Sequence, residues 1–164
     1  MITIEEMKAR DLRGVLAIEE TLSEIPWSRR LFLEELAQGK LRIYLCAKEG
    51  RKVLGYFGSM LIEDELHVTT VVVRRESEGQ GIATRLLLVG FSRAVERGVH
   101  AATLEVRASN KRAQRLYERF GFLPVGVRPK YYQNNDEDAL IMWCYGLDEP
   151  EARQRRKKIE EDLR

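Results

Sequence analysis

The sequence predicts a single mixed α+β (α/β) domain. Its 164 residues, 44% of them hydrophobic, suffice for one domain with a real core at roughly 100–200 residues per domain. In the first half, three consecutive strand-like runs separated by short charged turns read as an antiparallel meander. The second half alternates strand and helix before two closing strands, which puts both element types in one layered domain.

The elements follow in chain order. Thr3 and Ile4 lie in a short first strand. Asp11 reads as the N-cap of a helix running to about Leu22, with Leu12, Val15, Leu16 and Ile18 on its apolar side. Ile25-Pro26-Trp27-Ser28 breaks that helix, and Ser28 caps a second one that stops at Gly39. Leu41–Ala47, Val53–Ile62 and Leu66–Val73 form the meander. Arg74–Gly81 is polar and contains glycine, and Ile82 opens a helix, apolar at Ile82, Leu86 and Val89, that ends at Gly98. Ala102–Arg107 is a strand, Asn110 caps a helix that Gly121 closes, and the last strands are expected around Phe122–Val127 and Ala139–Leu147. Residues 1–148 form the domain. The charged tail Glu149–Arg164, poor in apolar residues, is expected to be a frayed, solvated helix or disordered.

Composition excludes several function classes. The apolar runs fall well short of the ~18 residues of a membrane span, and the first six residues lack the basic and apolar regions of a signal peptide. Cys46 and Cys144 fit no C-x-x-C pattern and sit in apolar strand runs, as buried thiols rather than nucleophiles. His67 and His100 lack metal-ligand spacing, so no metal is expected. These readings point to a soluble, reduced, cytoplasmic protein with no membrane partner. A net charge of +2 is too small to suggest nucleic-acid binding. Its distribution is uneven: residues 69–130 carry 12 basic against 5 acidic side chains, while the flanking segments are net negative. That middle third suits a small polyanionic ligand, although solvated arginines on two helices would give the same count.

The strongest chemical signal runs from Val71-Val72-Val73 through Glu78-Gly79-Gln80-Gly81-Ile82-Ala83 into the following helix. Small residues at 79, 81 and 83 let a ligand approach the backbone closely. Consecutive N–H groups at the positive end of a helix dipole cradle phosphate oxygens. The spacing is neither a Walker loop nor a Rossmann fingerprint, and on spacing alone a tight turn without a ligand is an equal reading. In Leu104-Glu105-Val106-Arg107, alternation sets Glu105 on the face opposite Leu104 and Val106. Beneath helices, such a carboxylate has either a task or an arginine partner. Tyr117, on the helix that Asn110 caps, is either an ordinary core aromatic or part of the same chemistry.

The run Glu78-Gly79-Gln80-Gly81-Ile82-Ala83-Thr84-Arg85-Leu86-Leu87 resembles the acetyl-coenzyme A motif of the GNAT N-acetyltransferase superfamily, commonly Q/R-x-x-G-x-G/A. A more specific stretch is Leu104-Glu105-Val106-Arg107-Ala108-Ser109-Asn110, with Ala113, Leu116-Tyr117-Glu118 and Gly121-Phe122. It resembles the bacterial ribosomal-protein-alanine N-acetyltransferases, as do Ile25-Pro26-Trp27-Ser28, Arg128-Pro129-Lys130-Tyr131-Tyr132 and Asp138-Ala139-Leu140-Ile141-Met142. The resemblance spans residues 1–146. It implies a GNAT-type fold, with a central mixed, mostly antiparallel sheet flanked by helices, and an acyltransferase with acetyl-coenzyme A as co-substrate.

The resemblance also implies roles. Glu105 is the general base toward an amine, and Tyr117 the general acid toward the departing sulfur. The backbone at Val71, Val72 and Val73 aligns the acetyl group. Glu78, Gly79, Gln80, Gly81, Ile82, Ala83, Thr84 and Asn110 hold the coenzyme. Trp27, Tyr131 and Tyr132 line the peptide groove, unless they simply pack at the rim of the core. Glu78 departs from the family's Gln or Arg, and its charge is expected to be met by the loop amides and Arg75 or Arg85. The implied partner is a protein N-terminus, that of an alanine-starting small-subunit ribosomal protein; lysine side chains or small-molecule amines are the alternative acceptors. An α-amine, with a pKa of roughly 8, is about one-tenth neutral at pH 7, about 250-fold more than a lysine near 10.4. A modest carboxylate base therefore suffices for an N-terminus.

Overall fold

In the computed structural model, which describes residues 1–164, the order is β1 (Ile2–Glu6), α1 (Leu12–Leu22), α2 (Arg29–Leu36), β2 (Arg42–Glu49), β3 (Lys52–Ile62) and β4 (Glu65–Val73). There follow α3 (Ile82–Glu96), β5 (Ala101–Arg107), α4 (Lys111–Arg119), β6 (Leu123–Arg128), β7 (Ala139–Tyr145) and α5 (Pro150–Asp162). The seven strands make one sheet in the order β1-β2-β3-β4-β5-β7-β6. Every neighbouring pair is antiparallel except β4–β5. This is the mixed, mostly antiparallel sheet expected above. No helix is long and apolar enough to cross a membrane.

Strand alternation sorts the apolar residues onto two faces. On β2, Ile43, Leu45 and Ala47 enter the larger core with Phe57, Leu86, Phe91 and Phe122, against α3. Tyr44 and Cys46 point the other way, into a smaller core with Leu12, Val15, Ile18 and Phe32 from α1 and α2. Helices on both faces leave the sheet's interior dry, and each fully buried large side chain contributes about 1.5–3 kcal/mol.

The helix starts are mostly those read from sequence. Ser28 Oγ accepts from the Leu31 N–H at 3.2 Å, and Asn110 Oδ1 accepts from the Ala113 N–H at 3.1 Å. Asp11 differs. Its side chain caps nothing in α1; Oδ2 instead accepts from the Lys8 N–H at 2.8 Å, closing a preceding 3-10 turn. Its other oxygen meets Lys48 Nζ at 3.0 Å, with both side chains buried. That hydrogen bond to Asp11 raises the Lys48 ammonium above the usual lysine range.

The tail departs from expectation. Residues 150–162 are an ordered helix whose Ala152, Arg156 and Ile159 are buried, and Ile159 belongs to the larger core. The three lie at i, i+4 and i+7, one stripe of the helix. Arg156 covers its part of that stripe with its aliphatic stem and donates from Nη1 to the Leu147 carbonyl at 2.9 Å. A stripe centred on arginine reads as polar in sequence, which is why it escaped notice.

Candidate active site

The sheet is forked. β4 and β5 pair only through Glu65–His67 opposite Ala101–Thr103. Further along β4, Ser59 opposes Val68 while Gly58 opposes Thr70, so Thr69 is an extra residue, a bulge that bends the strand. Between the unpaired lengths of the two strands lies a groove of about 830 Å³, lined by Val68–Val71 on one side and Leu104–Arg107 on the other. Its outer walls are the α1–α2 loop at Leu22–Ile25 and the β6–β7 loop at Tyr131–Asn134.

A second groove of about 400 Å³ adjoins the first, with Val71, Asn110, Ala113 and Tyr117 common to both. It leads to the turn before α3. Gly79 and Gly81 there have φ of 80° and 73°, backbone conformations that glycine adopts without a steric penalty. The first bond of the helix ladder runs from the Arg85 N–H to the Gly81 carbonyl, so the amides of Ile82, Ala83 and Thr84 precede it. No side chain caps them. The positive end of a 15-residue helix therefore borders the groove. Arg112, on α4, sets Nη1 at 3.5 Å from Glu78 Oε2, with both side chains exposed. The charge of Glu78 is met from across the groove by Arg112, not by the expected Arg75 or Arg85.

Glu105 projects into the large groove with a side chain only 10% exposed. Its Oε2 lies 2.8 Å from His67 Nε2 and its Oε1 3.4 Å from Arg128 Nε. Tyr117 lines both grooves and is almost wholly buried. Burial first, and the neighbouring Tyr132 second, push its phenol up to about 12. Tyr131 and Tyr132 form an edge-to-face pair at 5.1 Å in the groove wall. The Arg107 guanidinium sits 3.9 Å from the centre of the Tyr132 ring. Arg107 also bonds Asn134 and Asn135 and pairs with Glu137 and Glu24, so one side chain ties both outer walls together.

The structure thus gathers Glu105, Tyr117, Tyr131, Tyr132, Asn110 and Val71 around one groove, and Val73, Glu78, Gly79, Gly81, Ile82, Ala83 and Thr84 around its extension. Val72, expected to act through its backbone, packs its side chain into the smaller core, because alternation turns it away from Val71 and Val73. Two of the sequence-derived residues lie elsewhere. Gln80 is exposed and borders neither groove. Trp27 packs its ring on Phe32 at 5.3 Å, and its backbone N–H donates to Glu19 Oε2, so it braces the α1–α2 loop rather than lining the groove. Cys46 and Cys144 are both buried, and burial pushes the Cys46 thiol up to about 12. Sequence reasoning missed His67, Arg107 and Glu24. Only a polar residue inside the apolar run Leu66–Val73 marked His67.

Comparison with known proteins agrees with this architecture. Residues 11–122 match the Acetyltransferase (GNAT) family. The [ribosomal protein bS18]-alanine N-acetyltransferase of Escherichia coli (strain K12) is 32% identical over 144 residues, covering 87% of this chain and 96% of that protein. A Bacillus subtilis (strain 168) relative, named as a candidate enzyme of the same kind, is 34% identical over 140 residues, covering 85% of this chain and 93% of its own. The crystal structure of the ribosomal-protein-S18-alanine N-acetyltransferase from Escherichia coli superposes with a TM-score of 0.80 at 30% identity, over 89% of this chain and 94% of that one. The NatC complex bound to Gag peptide and CoA shares the fold, with a TM-score of 0.77 at 18% identity, over 88% of this chain and 98% of that one. Fork, glycine turn and family match coincide on the same residues, and the chain belongs to the GNAT acetyltransferase family.

Proposed function

We propose that this enzyme transfers the acetyl group of acetyl-coenzyme A to the N-terminal α-amine of a protein, an alanine-starting ribosomal protein of the small subunit. The relatives that share about a third of its sequence over most of their length carry that activity in their names. One observation carries the chemistry: Glu105 and Tyr117 line the same groove, and that groove runs on to an uncapped helix N-terminus. A ribosomal substrate assigns the work to the cytoplasm.

The residues present suit the co-substrate. Uncapped amides at Ile82–Thr84 and the glycine turn take the pyrophosphate oxygens. The edge of β4 beyond His67 has lost its β5 partner, so main-chain groups around Val71 and Val73 are free to pair with the pantetheine arm and orient the acetyl carbonyl. Asn110 and Ala113 floor the passage between the two grooves.

Glu105 accepts a proton from the incoming ammonium, directly or through a water, so that the neutral amine attacks the thioester carbon. The carbon–nitrogen bond forms, the nitrogen releases its second proton to solvent, which in turn reprotonates Tyr117, and the carbon–sulfur bond breaks. Tyr117 gives its hydroxyl proton, or a hydrogen bond, to the departing sulfur. The raised pKa keeps that hydroxyl protonated at neutral pH, as a donor must be. The two tyrosines and the α1–α2 loop hold the first residues of the chain being modified.

Short peptides starting with alanine, incubated with acetyl-coenzyme A, should release coenzyme A and gain one acetyl group at the α-amine by mass spectrometry. Blocking that amine should abolish turnover. Turnover that survives the block, with acetylation at lysine or on free polyamines, would replace this reading with the alternative acceptors.

A further inference from the structure

We propose that His67 positions Glu105 for acetyl transfer, an assignment that rests on Glu105 being the general base. His67 is the last residue of β4 paired with β5, opposite Thr103. Glu105 stands two residues beyond Thr103 and on the same face of β5. The 2.8 Å bond from His67 to Glu105 is therefore a diagonal cross-strand contact. It continues the pairing of the two strands at the point where their main-chain ladder stops.

Next to a carboxylate the ring nitrogen carries the hydrogen, so Nε2–H donates and Oε2 accepts. That bond fixes the plane of the carboxyl group and leaves Oε1 as the oxygen that deals with an amine. Arg128, near Oε1, has a side chain 55% exposed, whereas His67 is 26% and Glu105 10% exposed. Exposed ion pairs are weak, so His67 is the partner that fixes the carboxylate. A base already held in one orientation loses no rotamer freedom when the amine arrives.

The cavities set both partners behind the base. Glu105 is the one residue shared between the large groove and a separate cavity of about 220 Å³, which His67, Glu65, Thr103, Arg128 and Trp143 help to line. His67 reaches the carboxylate from that second cavity and takes no space in the groove. The ring is a positioning residue behind the base.

The test compares His67→Ala and His67→Gln in the full chain, with acetyl-coenzyme A and an alanine-starting peptide. His67→Ala should lower kcat about 10- to 100-fold while leaving the KM for acetyl-coenzyme A within about twofold. His67→Gln, whose amide N–H can reach the same oxygen, should restore most of the rate. Unchanged kcat in His67→Ala, or no rescue by glutamine, overturns the assignment. A readout independent of turnover is available because the chain has only two histidines. By NMR, the Nε2-bound proton of His67 should be protected from solvent exchange in the native chain and lose that protection in Glu105→Ala; equal exchange in both overturns the pairing. A native chain that leaves the peptide untouched would refute the proposed function, and the exchange measurement would still decide the pairing.

Discussion

Glu105 is held at Oε2 by His67 and more loosely at Oε1 by the exposed Arg128, while Tyr117 lines both grooves. The arrangement suits an oriented base beside an acid placed where the two grooves meet. Replacing Glu105 with Gln or Tyr117 with Phe should each lower kcat by about 10²–10⁴-fold, with thermal unfolding nearly unchanged. Steady-state kinetics and a melting curve on the same samples check both halves. The tyrosine also makes a pH prediction. Its phenol is raised to about 12, so its own ionisation should take no activity away until the solution approaches that value. Stability follows the same sign: above an ordinary value of about 10, the unfolded chain ionises first, so this group's contribution declines as pH rises toward 12. Alternation along one strand and an offset from one cap, both local properties, placed Glu105 and Tyr117 in sequence, and the family resemblance supplied their roles. His67 was not so placed, since its partner is 38 residues away and the two meet only through the short parallel seam.

At the scale of elements, the turn into α3 carries most of the expected coenzyme binding. Gly81→Val should weaken coenzyme A binding at least tenfold by calorimetry. A β-branched residue strains a φ of 73°, and a Cβ there would stand 2.7 Å from Leu163 Cδ2. Calorimetric affinity equal to that of the native chain would show that the turn holds nothing. The turn was readable because glycines and a following apolar helix lie side by side in the chain. Caps divide along the same line. Ser28 and Asn110 bond amides three residues ahead and were recognised, whereas Asp11 was drawn off by Lys48, 37 residues away.

For the whole molecule, the unexpected contribution is α5, which ties the end of the chain into the larger core through Ile159. Ile159→Ala should cost about 2–5 kcal/mol of stability in urea unfolding. No residue of α5 lines either groove, and only Leu163 at its end touches the Gly81 turn, so kcat at saturating substrates should stay near native. A loss of rate without a loss of stability would mean that α5 acts on the chemistry. The order of the strands was legible in sequence, but the docking of this helix was not, because its buried stripe is centred on an arginine.

The forked sheet has one more consequence. Eight residue pairs join β3 to β4 and seven join β5 to β7, but only three join the two panels those ladders build. The join is therefore the narrowest main-chain connection across the middle of the sheet. Spreading the panels widens the slot while leaving the outer ladders zipped. A small pivot about the Glu65–His67 rungs would open the slot without unravelling a strand.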